Sequence, residues 1–316
     1  IRVYNLHGRR DNIYKARIKI LAKALGIEEF KKQVEAEWHH LKNSPNTIDE
    51  SELIRIAKFF TAMPYEKLND QDDTYDEAIQ NNKAFASWAK RSVHLHKQKG
   101  YRAITLSLKP HGLAPGDATS DQMRIVAELA EQYSFGELRV SHEQNLILAD
   151  VKLQDIFKVW EKAKAHQLAT PNIGLLTDII CCPGGDFCSL ANAKSIPIAT
   201  SIQEAFDNLD YLHDIGELEL NISGCMNACG HHHIGHIGVL GVDKDGSEWY
   251  QVTIGGKQGN DASLGSVIGP SFAAEEMPGV VKKLIDVYIK HRNPEERFID
   301  TVRRLGVNPF KEHVYA

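Results

Sequence analysis

Four cysteines in two close pairs are the residues of this sequence best suited to chemistry. Five residues separate Cys182 from Cys188, three separate Cys225 from Cys229, and 36 residues lie between the two pairs. Four thiolates are the usual ligand shell of a cubane iron–sulfur cluster, because iron bonded to sulfide prefers soft ligands. Glycines beside both pairs permit the unusual dihedrals of a loop that wraps a cluster. The spacing therefore favours a [4Fe–4S] site.

Two other interpretations of the cysteines stay open on spacing alone. Zinc sites usually space their paired cysteines by two to four residues, which the second pair fits and the first does not. The histidines that follow add possible zinc ligands; they are His231, His232, His233 and His236. The third reading is four buried thiols without a metal. The fifth cysteine, Cys181, fits no ligand position and is expected to be a small buried hydrophobe.

The elements that must position these residues follow from hydrophobic periodicity. Residues 101–168 have a βαββα rhythm, with an alternating strand at 101–108 and a helix whose capping box is formed by Thr119 and Gln122. This order predicts a ferredoxin-like α+β half-unit. Downstream, the pattern predicts three strands, a helix and a second helix capped by Asn293; their ranges are 217–222, 234–242, 248–254, 274–291 and 293–304.

Composition narrows the class of protein. The net charge of −5 argues against a dedicated nucleic-acid binder. No stretch of 18 apolar residues is present, so no membrane span is predicted. No signal peptide is visible, which leads us to expect a cytoplasmic protein. The chain of 316 residues starts at Ile1 rather than Met, which indicates a fragment or a processed product.

The cysteine motifs resemble those of a known family. The segment Cys182-Pro-Gly-Gly-Asp-Phe-Cys188, with Ser223-Gly-Cys225-Met-Asn-Ala-Cys229-Gly230, resembles the sirohaem-containing sulfite and nitrite reductases. The stretches 112–119 and 139–146 resemble the family's second ferredoxin-like repeat, and 253–256 resembles a glycine turn near its cofactor. The resemblance runs from about residue 95 to the end of the chain.

This resemblance implies the cofactors and their ligands. Cys182, Cys188, Cys225 and Cys229 would bind a [4Fe–4S] cluster, and Cys229 would also be the axial thiolate of a sirohaem iron. The eight carboxylates of sirohaem need cations or other donors. Five residues are candidates for them: Arg17, Lys19, Gln144, Asn145 and Lys257. Arg10 and Lys15 are further basic candidates beside the first two.

Some of these residues have more than one predicted role. Gln144 and Asn145 would hydrogen-bond either to sirohaem carboxylates or to the neighbouring backbone. The four histidines at 231–236 would either donate protons and contact sirohaem, or pack beside the cluster; packing is the favoured reading. No catalytic residue is assigned.

The resemblance implies six-electron reduction of sulfite to sulfide, with nitrite to ammonia as the alternative in the same family. An inactive fragment, free of cofactors or binding zinc, is the alternative of another class. Expected partners are the anionic substrate and an electron donor, either ferredoxin or a flavoprotein reductase. The family's N-terminal half is missing from this chain, so a separate polypeptide could supply it.

The predicted fold class is α+β, with a ferredoxin-like βαββα half-unit followed by an α/β cluster- and sirohaem-binding domain. The predicted division of the chain has four parts: 1–42 as the helical end of a preceding domain, 43–100 as a linker or insertion, 101–170 as the second ferredoxin-like repeat, and 171–316 as the cluster- and sirohaem-binding domain.

Overall fold

A computed structural model describes residues 1–316, and the chain divides into two compact units, Ile1–Pro64 and Tyr65–Ala316. The first unit is helical. Its helices are α1 (Arg2–His7), α2 (Ile18–Leu25), α3 (Ile27–Leu41) and α4 (Glu50–Ala57). Gly26 separates α2 from α3 at a φ of +80°, a conformation that favours glycine, so the pair of helices predicted over 12–42 is present.

The second unit begins with a ferredoxin-like half-unit. Its elements are α5 (Asp73–Asn81), α6 (Lys83–Ser92), β1 (Val93–Leu95), β2 (Tyr101–Leu106), α7 (Ser120–Tyr133), β3 (Leu138–Val140), β4 (Leu146–Lys152) and α8 (Ile156–Ala165). The sheet order is β1-β2-β4-β3, and every neighbouring pair is antiparallel. Strands β2 and β3 therefore flank β4 and run in the same direction, as the βαββα pattern predicts. Thr119 and Gln122 form the predicted capping box of α7.

The segment 43–100 is only partly the connector that the sequence predicts. It contains α4, α5, α6 and β1. Phe85 and Trp88 of α6 are 0% and 1% exposed and pack with Ile104 of β2 in the core of the half-unit. The end of the segment is therefore a structural part of the half-unit. Only Phe85, Trp88 and Ala89 of this segment are buried in that core, which is why the segment as a whole resembles a linker in composition.

The rest of the second unit is an α/β domain. Its elements are β5 (Ile180–Cys181), α9 (Gly184–Phe187), α10 (Ile196–Ala205), α11 (Leu209–Ile215), β6 (Leu220–Ser223), β7 (Ile237–Lys244), β8 (Ser247–Ile254), β9 (Ser266–Val267), α12 (Met277–His291), α13 (Phe298–Leu305) and α14 (Asn308–Tyr315). The sheet order is β5-β6-β7-β8-β9. Strands β5, β6 and β7 are parallel, whereas β8 and β9 are antiparallel.

Two local predictions in this domain have different outcomes. Asp245 and Gly246 form the predicted turn between β7 and β8, both at positive φ, as two-residue hairpins require. The prediction that Asn293 caps the helix over 293–304 is wrong. The backbone N–H of Asn293 donates to Glu296, and α13 begins only at Phe298, after Arg297.

None of the helices of the chain combines the length and apolar character needed to cross a bilayer.

Candidate metal centre

Parallel pairing of β5 and β6 brings the two cysteine pairs to one edge of the sheet. Cys181 lies opposite Ile222 in the register, so Cys182 and Gly224 follow the carboxyl ends of neighbouring strands. The backbone N–H of Cys182 donates to the carbonyl oxygen of Ile222 at 3.1 Å. The loops that carry the two pairs therefore start side by side, although 36 residues separate the pairs in sequence.

The two cysteine loops are also hydrogen-bonded to each other. The N–H of Gly224 donates to the Sγ of Cys182 at 3.1 Å. The carbonyl oxygen of Gly224 accepts from the N–H groups of Asn192 and Ala193, at 2.8 and 3.0 Å. A Cβ on Gly224 would stand 2.6 Å from the oxygen of Ala193 and 2.9 Å from the Cα of Gly184. Only glycine fits where the loops cross, so each loop fixes the position of the other.

The four thiols of these loops differ in burial. Cys182 and Cys225 are 9% and 8% exposed, Cys188 is half-buried and Cys229 is exposed. The donor set is entirely soft, and one sulfur already accepts a backbone N–H, as cluster-bound thiolates do. The exposed Cys229 is accessible to a second group. These residues fit a [4Fe–4S] cluster with a shared thiolate, and the assignment of the four ligands stays a prediction.

The zinc alternative requires a different arrangement. A structural zinc site holds four ligands within about 2.3 Å of one ion. No three or more His, Cys, Asp or Glu side chains in the structure are grouped to hold a single metal ion.

Cys181 is placed as a small buried residue. It is 4% exposed, and its Sγ donates to the carbonyl oxygen of Cys182 at 3.2 Å. Burial raises the pKa of the Cys181 thiol, so it stays protonated at neutral pH. Its neighbour Cys182 is therefore the only thiol of the two placed to act as a thiolate ligand.

Gln144 takes the second of its two predicted roles. Its Nε2 donates to the carbonyl oxygen of Cys181, and its Oε1 accepts from the N–H of Cys181, each at 2.8 Å. The amide oxygen and one of the two Nε2 hydrogens are thus used on the backbone of β5, and a role of Gln144 toward sirohaem stays a prediction. Gln144 acts as a strand-like partner that fixes the residue before Cys182.

Asn145 is likewise committed to protein groups. It is 2% exposed; its Oδ1 accepts from the N–H of Leu108 at 3.1 Å, and its Nδ2 donates to Asp178 Oδ1 at 3.0 Å. The oxygen and one of the two Nδ2 hydrogens are thus engaged by protein groups, and a role of Asn145 toward sirohaem stays a prediction. Its other predicted role, hydrogen bonding within the protein, is the one observed.

Sequence reasoning missed the ion pair at the centre of this network. Lys109 Nζ lies 2.5 Å from Asp178 Oδ1, and the two side chains are 0% and 6% exposed. Lys109 also donates to the carbonyl oxygen of Glu143, and Asp178 Oδ2 accepts from the N–H of Gly174 at 2.9 Å. The pair joins the half-unit to the start of β5. The available signal was a Lys that ends one apolar strand and an Asp that precedes another.

The histidine run is packed rather than open. His232 is 1% exposed, and burial lowers its pKa to about 4. His236 is 5% exposed, and its Nδ1 accepts from the backbone N–H of Glu219 at 3.2 Å. The packing reading therefore holds for His232 and His236. The rings of His232 and His233 lie 3.9 Å apart, whereas His231 is exposed and has a φ of 53°.

The predicted basic candidates belong to different units of the chain. Lys257 Nζ pairs with Asp261 Oδ2 at 2.6 Å. Arg17 donates to the carbonyl oxygen of Ala16 at 3.0 Å, and Lys19 is exposed on α2. Arg17 and Lys19 belong to the first unit, as do Arg10 and Lys15. A role of these residues toward sirohaem stays a prediction.

Buried His236 gives the fold an acid sensitivity. Burial, followed by the charges of Arg297 and Lys257, lowers its pKa from 6.5 to about 4. Between these values the unfolded chain binds a proton that the folded chain does not. The free energy of unfolding should therefore fall with falling pH, by up to about 1.4 kcal/mol per pH unit from this group. Measured by urea unfolding between pH 7 and pH 4.5, the free energy of unfolding should fall more steeply with falling pH in the wild type than in His236→Asn. Equal pH dependence in the two proteins would contradict the lowered pKa of His236.

Gly230 and Gly279 form a matched pair for testing how tightly the second cysteine loop is packed. A Cβ on Gly230 would stand 2.0 Å from the oxygen of Ile222, whereas one on Gly279, within α12, would meet nothing within 4 Å. We expect Gly230→Ala to lower the free energy of unfolding by roughly 1–3 kcal/mol. Gly279→Ala should raise it by about 0.5–1 kcal/mol. Equal effects in urea unfolding would contradict the close approach at Gly230.

Comparison with family models decides the family. The model described as "Nitrite and sulphite reductase 4Fe-4S domain" matches residues 1–42 and 175–316, more than half of the chain. The chain belongs to the nitrite and sulfite reductase family. The model of the "Nitrite/Sulfite reductase ferredoxin-like half domain" matches residues 94–166. The family carries a [4Fe–4S] cluster and sirohaem, the two cofactors that the resemblance of the cysteine motifs implies.

Curated members of the family are similar along much of the chain. The assimilatory ferredoxin-dependent nitrite reductase of Haloferax mediterranei is 26% identical over 99% of this chain and 50% of its own length. The chloroplastic ferredoxin–nitrite reductase of Spinacia oleracea is 25% identical, over 88% of this chain and 42% of its own. An assimilatory-type sulfite reductase of Nitratidesulfovibrio vulgaris is 21% identical, over 63% of this chain and 88% of its own length. The chain spans about half the length of the nitrite reductases that it matches.

Solved structures of the family share the fold. NirA of Mycobacterium tuberculosis superposes with a TM-score of 0.59 at 22% identity, over 96% of this chain and 50% of its own. Dissimilatory sulfite reductase I superposes with a TM-score of 0.56 at 14% identity, over 68% of this chain and 69% of its own. The α+β architecture predicted from the sequence is thereby confirmed.

Proposed function

We propose that this chain is the cluster-bearing half of a reductase that delivers six electrons to a small oxyanion. The reaction is nitrite with eight protons and six electrons to ammonium and two waters, or sulfite with eight protons and six electrons to hydrogen sulfide and three waters. The observation that supports the proposal is the junction of the two cysteine loops at the carboxyl ends of β5 and β6.

Each part of the junction has a role in this proposal. Cys182, Cys188, Cys225 and Cys229 would hold the cluster, and Cys229 would also hold the sirohaem iron. When bound, the two cofactors would supply one-electron redox chemistry. The N–H of Gly224 on the Sγ of Cys182 stabilises negative charge on that sulfur, which favours the reduced state of the cluster.

The remaining loop contacts keep this geometry fixed during turnover. Gln144 holds the backbone of Cys181 with two hydrogen bonds, and Asp178 is held by Lys109 and Asn145. These groups are built into the chain before any cofactor arrives. A ligand set that is positioned in advance loses less conformational entropy when it binds.

Nitrite is proposed ahead of sulfite as the substrate, which reverses the order predicted from the sequence. Support comes from the two nitrite reductases above, which match 99% and 88% of the chain, whereas the sulfite reductase matches 63%. The test is kcat/KM for both anions, measured on the holoprotein at its natural length with reduced methyl viologen as donor. A sulfite value above the nitrite value would reverse the order, and no turnover of either anion would overturn the function.

Ferredoxin is proposed as the electron donor, because several relatives are named as ferredoxin-dependent. A flavoprotein reductase is the other donor to be tested in the same assay. The N-terminal half of the usual reductase is proposed to be present in the working enzyme, in the same or another polypeptide. Intact mass and native mass spectrometry of the enzyme purified from its source distinguish these two arrangements.

A further inference from the structure

A cavity of about 350 Å³ lies at the opposite end of the second sheet from the cysteine loops. Glu219, on its wall, immediately precedes β6, and His236, also on its wall, immediately precedes β7. The cysteines instead follow the carboxyl ends of β5 and β6. Four residues of extended strand span about 13 Å, so the cavity is separate from the proposed cluster site.

The wall of this cavity is rich in cations. Lys90, Arg91, Lys257 and Arg297 line it, against the two carboxylates of Glu217 and Glu219. Lys257 and Arg297 have carboxylate partners, Asp261 at 2.6 Å and Asp300 at 2.8 Å. The other two cations of the wall are not neutralised in this way.

Arg91 is the cation of the cavity wall that most clearly lacks partners within the protein. Its Nε is buried and has no hydrogen-bond partner in the protein. No carboxylate lies within 4.0 Å of its guanidinium or of the ammonium of Lys90, the distance that defines the ion pairs elsewhere in the chain. Arg91 therefore brings a positive charge to the cavity wall that no carboxylate compensates, and an anion in the cavity would neutralise it.

His236 supplies a neutral donor to the same cavity. Because its Nδ1 accepts from the N–H of Glu219, the neutral imidazole must carry its proton on Nε2. Burial and the nearby cations keep the ring neutral at pH 7. His236 can therefore donate one hydrogen bond without adding charge.

We propose that this cavity binds a small oxyanion, such as phosphate or sulfate, with Arg91 and Lys90 providing the charge and His236 Nε2–H a directional hydrogen bond. The cavity has room for such an ion together with several waters. Since the site lies apart from the cysteine loops, its occupancy does not depend on the cluster or on the proposed reductase activity.

Calorimetric titration of the full chain with inorganic phosphate at pH 7.5 and low ionic strength tests this proposal. We expect one phosphate per chain with a Kd of about 1 mM or below. Arg91→Gln should weaken binding by about tenfold or more, the size expected for a charge-assisted hydrogen bond. His236→Asn keeps an acceptor for Glu219 N–H while it removes the Nε2 donor, and should weaken binding several-fold. Titrations with sulfate and nitrite then identify which oxyanion is preferred.

Arg124→Gln is the matched control, because it removes the same charge from an exposed ion pair on α7. It should bind phosphate like the wild type. No phosphate binding by the wild type, or an equal loss in the Arg91 and Arg124 variants, would overturn the proposal. Should Arg91→Gln unfold, the NMR signal of the Arg91 Nε–H in the wild type decides, since phosphate must shift it in a saturable manner.

Discussion

Replacing Cys225 by serine is expected to remove the iron–sulfur cluster, with iron and acid-labile sulfide falling to a small fraction of their wild-type content. The physical reason is the loss of one soft ligand in a set of four, at a buried position where water is a poor substitute. Visible absorption and electron paramagnetic resonance of the reduced protein, purified without oxygen, measure the loss directly.

Cys181→Ala is the matched control for this variant. It removes a thiol from the residue adjacent to Cys182, but this thiol is buried in the hydrophobic core and protonated, and its Sγ donates its hydrogen bond to a backbone oxygen. Its iron and sulfide content should stay at the wild-type level. Cluster loss in Cys181→Ala, or an intact cluster in Cys225→Ser, would contradict the assignment of the four ligands.

The second large effect is expected at the buried pair of Lys109 and Asp178. Lys109→Met leaves the carboxylate of Asp178 without its cation in a site that is almost closed to solvent. An uncompensated buried charge costs about 3–5 kcal/mol, so the free energy of unfolding in urea should fall by that amount. Because Asp178 lies at the start of β5, the cluster content of the variant should fall as well.

Two variants show whether this loss comes from the orphaned charge. Lys109→Met combined with Asp178→Asn removes both charges and should recover part of the stability. Lys282→Met, which breaks an exposed pair with Asp286, should change the free energy of unfolding by less than about 1 kcal/mol. A loss at Lys109 as small as that at Lys282 would contradict the closed environment of the pair.

The parts of this fold that were predicted from sequence depend on local patterns. The alternation in β2, the capping box of α7 and the Asp245-Gly246 turn are each determined by residues a few positions apart. The cysteine motifs are similarly compact, and their flanking glycines indicate tight loops. Such features can be recognised without knowing which strands are neighbours.

The parts that were missed depend on contacts between distant residues. Lys109 and Asp178 are 69 positions apart, and nothing near either residue indicates its partner. Gln144 meets Cys181 only because the half-unit packs against the second sheet. Helix α6 lies in a segment, 43–100, that is polar overall, and its role became visible only through the burial of Phe85 and Trp88. These contacts were missed because the residues that make them are far apart in sequence.

The central inference is that thiols from two distant segments share one inorganic cluster, and elemental analysis of the protein purified without oxygen tests it most directly. We expect about four iron atoms and four acid-labile sulfides per chain, the stoichiometry of a cubane cluster, with additional iron where sirohaem is retained. A colourless protein that contains one zinc per chain and no sulfide would contradict the account.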